Sequence, residues 1–197
     1  MWCAALILLS LFVSPVVLLG QTVTTAAGTV SIPRVTVPPT LDDYLDGEPR
    51  PDEVAITTFV QREPGDGVPA SQPTEAYLSY DDEHLYVVFV ARESDPRNVR
   101  ASLTRREGFG NDDFVGVMLD TFRDRRRAYL FMANPLGVQR DGVNTDGGED
   151  DYSFDTIWES EGRLTEFGYV VRMAIPFKSL RFSDQPQQFP RDRLGRG

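Results

Sequence analysis

Apolar and polar positions along this chain change in short blocks, with no sustained helical period. The pattern is clearest in residues 111–142, NDDFVGVMLDTFRDRRRAYLFMANPLGVQRDG. There FVGVML (114–119) is apolar at nearly every position, as in a strand covered on both faces. The charged stretch TFRDRRR (121–127) reads as a solvent-facing turn, and residues 128–132 return as a second strand. That turn exceeds the two-residue ideal, which predicts a looped hairpin. NPLG (134–137) ends the return strand, because proline supplies no ladder N–H and Asn-Pro favours a turn.

The same pattern continues on both sides. Residues 54–60 form a β-branched run, the simplest reading of which is a first strand. Residues 75–80 and 85–91 flank DDEH (81–84) as a hairpin, and LYVVFVA is apolar enough to be a central strand. Residues 138–143, 157–164 and 168–175 complete the set, the last two joined across TEF (165–167). Residues 98–103 read equally as a short strand or a single helical turn. REPGDGVPASQP (62–73) and TDGGEDDY (145–152) are loops by composition, and PFKSL (176–180) is a small turn or helical piece. Short strands at regular spacing, with turn signals between them and no long amphipathic helix, predict an all-β fold. The architecture expected is an antiparallel β-sandwich of jelly-roll or immunoglobulin-like type.

The ends of the chain read differently. MWCAALILLSLFVSPVVLLG (1–20) is apolar but short and broken by proline, which predicts a secretory signal peptide, with an uncleaved anchor as the alternative. Gly20 and Ala26-Ala27 are competing cleavage positions. Residues 21–38 are rich in Thr, Val and Pro and read as an extended linker, so the domain is expected at 39–182. Residues 183–197 read as a further linker or the truncated start of another domain. Cys3 is the only cysteine and lies in the leader, so the exported chain would fold without disulfides, as suits a bacterial envelope. A net charge of −10 argues against nucleic acid as partner.

Candidate chemistry is sparse. His84 is the only histidine, which leaves no His/Cys zinc cage and no nucleophile–histidine pair that needs a second such residue. Asp146, Glu149, Asp150 and Asp151 crowd the acidic loop, where carboxylate oxygens on a flexible segment suit structural calcium. Trp158 is the only tryptophan outside the leader. With Tyr152, Phe154, Arg106 and Asp112 it forms the candidate ligand-binding set, because a sugar presents an apolar C–H face beside its hydroxyls. The other reading of Trp158 is a side chain packed between the sheets.

Four segments in order, PTLDDYLDG (39–47), LYVVFVARESDP (85–96), residues 111–142 and GYVVRMAIPFKSL (168–180), resemble the family 9 carbohydrate-binding modules. The likeness is strongest to the version at the N-terminus of long bacterial envelope proteins whose C-terminal part looks like an outer-membrane β-barrel. That resemblance implies a non-catalytic module binding an oligo- or polysaccharide in the periplasm or outer membrane of a Gram-negative bacterium. It further implies a parent protein linked to O-glycosyl hydrolysis and carbohydrate catabolism, structural calcium, and a barrel domain as partner. Family modules grip sugar between two tryptophans, whereas this chain offers Trp158 alone, and Arg106, Asp112 and Asn134 fall in matching segments. The alternative is a periplasmic domain that docks on or gates a barrel without a sugar site. A third reading follows from distant haem-binding relatives of the sandwich, for which Met118, Met132, Met173 and Lys178 are the available ligands, although strand methionines ordinarily fill cores.

Overall fold

The structure, a computed structural model, describes the backbone of residues 4–9 and all of residues 30–61 and 67–182. The predicted cleavage positions, residues 21–29 of the expected linker, residues 62–66 of the expected loop and the tail 183–197 lie outside the described residues. Nine strands are described: β1 (Ala4–Leu9), β2 (Val54–Ile56), β3 (Thr74–Tyr80), β4 (His84–Arg92), β5 (Phe114–Leu119), β6 (Arg127–Ala133), β7 (Gln139–Thr145), β8 (Glu159–Thr165) and β9 (Gly168–Pro176). They build two sheets, ordered β2-β3-β4-β9-β8 and β5-β6-β7, the second extended by β1 along β5. Every pairing is antiparallel except that of β1 with β5. The fold is an all-β sandwich, and the remaining regular structure among the described residues is three short 3-10 turns.

Period-two alternation decides which side chains fill the interior. Leu78, Leu85, Val87, Phe89, Val171, Met173 and Ile175 project from the larger sheet onto Val115, Val117, Leu119 and Phe131 of the smaller one. The central pair β4–β9 carries a second apolar face. There Val88, Val90 and Val170 are wholly buried under Leu41 and Tyr44, while Tyr86 and Ala174 are covered by Val35. The outward face of the smaller sheet is lined by Leu130 and Met132, which pack with Phe109.

This second layer corrects the expected linker. Arg34 bridges Tyr80, Ile32 joins the main core, and the Arg172 guanidinium donates to the Pro39 carbonyl at 2.6 Å. Residues 30–38 are therefore part of the domain, drawn in because a strand pair apolar on both faces needs a cover on each. Glu53 accepts hydrogen bonds from the Tyr44 and Ser79 hydroxyls beneath that cover, and burial pushes its carboxyl above the usual range.

Other boundaries move for local reasons. The strand expected at 54–60 stops at Ile56, and Val60 makes only an isolated bridge to Pro69. Residues 98–103 are neither strand nor helix beyond the 3-10 turn Pro96–Asn98, because Asp95 accepts the Arg97 N–H and closes that turn. The charged turn after β5 is built by Asp120, whose carboxylate takes the N–H groups of Phe122, Arg123 and Arg125. Gly168 opens β9 at φ 142°, pressed against the Ala91 carbonyl so closely that a Cβ would overlap it.

Ile32 is 7% exposed and Val37 is 63% exposed, so the two halves of the expected linker are separable by mutation. Ile32→Ala is expected to cost about 2–4 kcal/mol in urea unfolding. Val37→Ala is expected to change stability by less than about 0.5 kcal/mol.

Candidate functional site

Antiparallel order brings the start of β3, the end of β4 and the start of β9 to one end of the larger sheet, where Thr74 pairs Ala91 and Gly168 pairs Arg92. The start of β5 faces them across the sandwich. Between these ends lies a cleft of about 470 Å³ lined by Gln72, Ser94, Asn98, Arg100, Asp113 and Tyr169, among others. Its walls are held by reciprocal hydrogen bonds. Gln72 donates to the Ser94 hydroxyl at 2.9 Å and accepts the Ser94 N–H at 3.2 Å, while that hydroxyl donates to Glu93 at 3.1 Å. Asp113 takes the Arg100 guanidinium at 2.8 Å and the Arg100 N–H at 2.9 Å, and returns its own N–H to the Arg100 carbonyl. Arg92, also in the lining, donates to the Gly47 carbonyl and lies 5.1 Å from the Phe167 ring centroid.

The double acid at 112–113 supports this wall from both sides. Asp113 lines the cleft, whereas Asp112 turns inward and is 6% exposed. Asp112 accepts the Ser102 N–H at 2.8 Å, the Ser102 hydroxyl at 3.0 Å and the Asn134 amide at 2.8 Å. Asn134 is fully buried, and its amide also donates to the Ser102 carbonyl. Burial alone would push the Asp112 carboxyl up. The hydrogen bonds from Asn134 and Ser102, with the nearby Arg100 charge, outweigh it and hold Asp112 below the usual carboxylate range.

The residues singled out in the sequence are not gathered into one site. Trp158 is 4% exposed and meets Phe131 edge-on at 5.3 Å between ring centroids, so its faces belong to the core and not to a ligand platform. Phe154 packs on Tyr129 at the margin of the same core. Tyr152 is partly exposed and lies against Arg140, whose guanidinium is 5.4 Å from its ring centroid and 4.4 Å from that of Phe109. Arg106 clamps two segments together. It contacts Asp141 at 2.5 Å, Asp155 at 3.1 Å and the Thr156 carbonyl at 2.7 Å, and Asp141 is fully buried.

In the acidic loop, Asp150 accepts from Asn144 and the Tyr152 hydroxyl, and Asp151 takes both donors of Ser153, which hold its carboxyl low. Asp146 donates its N–H to the Arg126 carbonyl, and Glu149 stands exposed in the same loop. No group of three or more His, Cys, Asp or Glu side chains among the described residues is arranged to hold a metal ion. The methionines do not converge either: Met173 lies between the sheets, whereas Met118 and Met132 pack on the outward face of the smaller sheet.

Sequence reasoning overlooked the cleft because its lining comes from five separated segments. The turn Ser94-Asp95-Pro96 and the start of β3 were readable only as strand ends. Comparison with protein-family models, with curated proteins and with solved structures gives no match.

Removing the Asp112 carboxylate strands three donors, so Asp112→Ala is expected to cost about 2–4 kcal/mol at pH 7 by urea unfolding. A carboxyl held below its unfolded value contributes stability above that value and loses it as pH falls. The difference between wild type and Asp112→Ala should therefore shrink progressively as pH drops below about 4.

Proposed function

We propose that this chain is a non-catalytic carbohydrate-binding module of an exported bacterial envelope protein, with the polar cleft at the sandwich end as its binding site. One observation carries the reading: amide, hydroxyl, carboxylate and guanidinium groups converge on a concave wall that is already ordered by its own hydrogen bonds. Sugar hydroxyls both donate and accept, so they match such mixed groups, and pre-ordering reduces the entropy lost on binding. The likeness of four segments to family 9 modules supports the same conclusion. Asn98 and Ser94 line the cleft and are exposed, and they are the residues this reading expects to contact ligand. Tyr169, 7% exposed, forms part of the floor.

A second reading, a docking domain without a sugar site, is favoured by the position of Trp158. An aromatic buried between the sheets offers nothing to a sugar ring.

Calorimetric titration of the full chain with a panel of oligosaccharides, with and without calcium, separates the two. Saturable heat that weakens by about tenfold or more in Asn98→Ala establishes the cleft as the site. A folded chain that gives no heat with any sugar gives the docking reading its place. Dependence of that heat on added calcium would assign the ion a structural role.

A further inference from the structure

A sheet edge is an open row of backbone donors and acceptors, and it takes another strand unless something blocks it. The edges of this sandwich are guarded in different ways. β2 is only three residues long. β8 carries Glu159, Glu161 and Arg163. β7 is covered by Glu107, whose N–H donates to the Gln139 carbonyl, and by a two-way bridge between Val143 and Asp151.

β5 has none of these protections. It runs six residues, FVGVML, without a charge or a proline. Its inward side chains Val115, Val117 and Leu119 are 1% exposed, and its outward ones, Phe114 and Met118, pack beside Leu130 and Met132. A strand laid against it therefore meets apolar neighbours on both faces, which disfavours charge at every position. The strand that lies there fits this description. Ala4–Leu9, AALILL, pairs with all six residues in parallel, from Ala4 opposite Phe114 to Leu9 opposite Leu119.

We propose that the outer edge of β5 is a strand-acceptor site that takes an extended, uncharged, aliphatic strand from a partner polypeptide. Ala4–Leu9 holds the edge in the intact chain, and a leader removed on export would free it. Recognition is by β-augmentation: backbone hydrogen bonds give affinity, and the apolar neighbours on both faces select against charged strands. The inference does not depend on sugar binding in the cleft.

Hydrogen exchange followed by mass spectrometry tests this on the full chain. In the double variant Leu6→Pro/Ile7→Pro, one proline must fall on an N–H that faces β5, since successive N–H groups of a strand point to opposite sides. The β5 amides are expected to exchange about tenfold or more faster, with β4 and β9 still protected. A synthetic peptide carrying AALILL between terminal lysines should restore β5 protection, and the same peptide with lysine at its two central positions should not. Unchanged protection in the double variant, or no response to the AALILL peptide, would overturn the proposal. So would loss of protection in β4 and β9 as well, because the segment would then belong to the core and not to an exchangeable site. Concentration-dependent dimerisation that protects β5 without peptide would also overturn it, in favour of a second copy as the occupant.

Discussion

The central strand pair β4–β9 is apolar on both faces, and most of the structure follows from covering it twice. Opposite residues such as Leu85 and Ile175, or Val88 and Arg172, are joined through the longest pairing in the fold. One face is closed by the smaller sheet. The other requires a separate layer, supplied by residues 30–45 through Val35, Leu41 and Tyr44. Burying each of these large side chains stabilises the fold by about 1.5–3 kcal/mol. The layer also brings polar groups under cover. Arg172 and Glu53 are buried with their hydrogen bonds made, Arg172 to the Pro39 carbonyl and Glu161, Glu53 from Tyr44 and Ser79.

The run LYVVFVA announces this two-faced burial in the sequence, and short apolar strands at regular spacing with turn signals between them announce the sandwich. The covering layer is not announced. SIPRVTVPP has the composition of a linker, and its buried residues Ile32, Val35 and Pro39 are too few and too widely set to register as a pattern. The apolar face of β4 and β9 was the available signal, because a strand that is hydrophobic throughout implies that something must pack outside it.

The buried polar clusters were half legible. The Asn-Pro turn at 134–135 stands out as turn chemistry and Asp112 as a candidate ligand contact, yet nothing in their spacing says that Asp112 and Asn134 bond to each other. The pair is long-range, set by the register of β5 on β6, in which Val115 lies opposite Ala133. The same register leaves Asp113 facing the cleft. Arg106 and Asp141 are a similar case, since each is an ordinary surface-type residue until the fold buries Asp141 and fixes the guanidinium beside it. Trp158 could be read two ways from the sequence, as a platform or as a core side chain. The ring that decides between them, Phe131, packs edge-on against it from β6 and is distant in sequence.

Where a ligand can reach this molecule is constrained by the same double cover. Both faces of the larger sheet are occupied along β4 and β9, so neither offers the broad concave surface that many sandwiches use. Access is left to places where pairing stops. One is the sandwich end, where β3, β4 and β9 terminate and their loops leave a cleft with polar walls. A different case is the outer edge of β5, the proposed strand-acceptor site, which β1 occupies along all six residues. The two proposed sites would make different chemical demands, hydroxyl-matching side chains at the end and an uncharged extended backbone at the edge. The two places meet at the start of β5, since Asp113 and Val115 line the cleft and Val115 also lies opposite Ala5 on the edge.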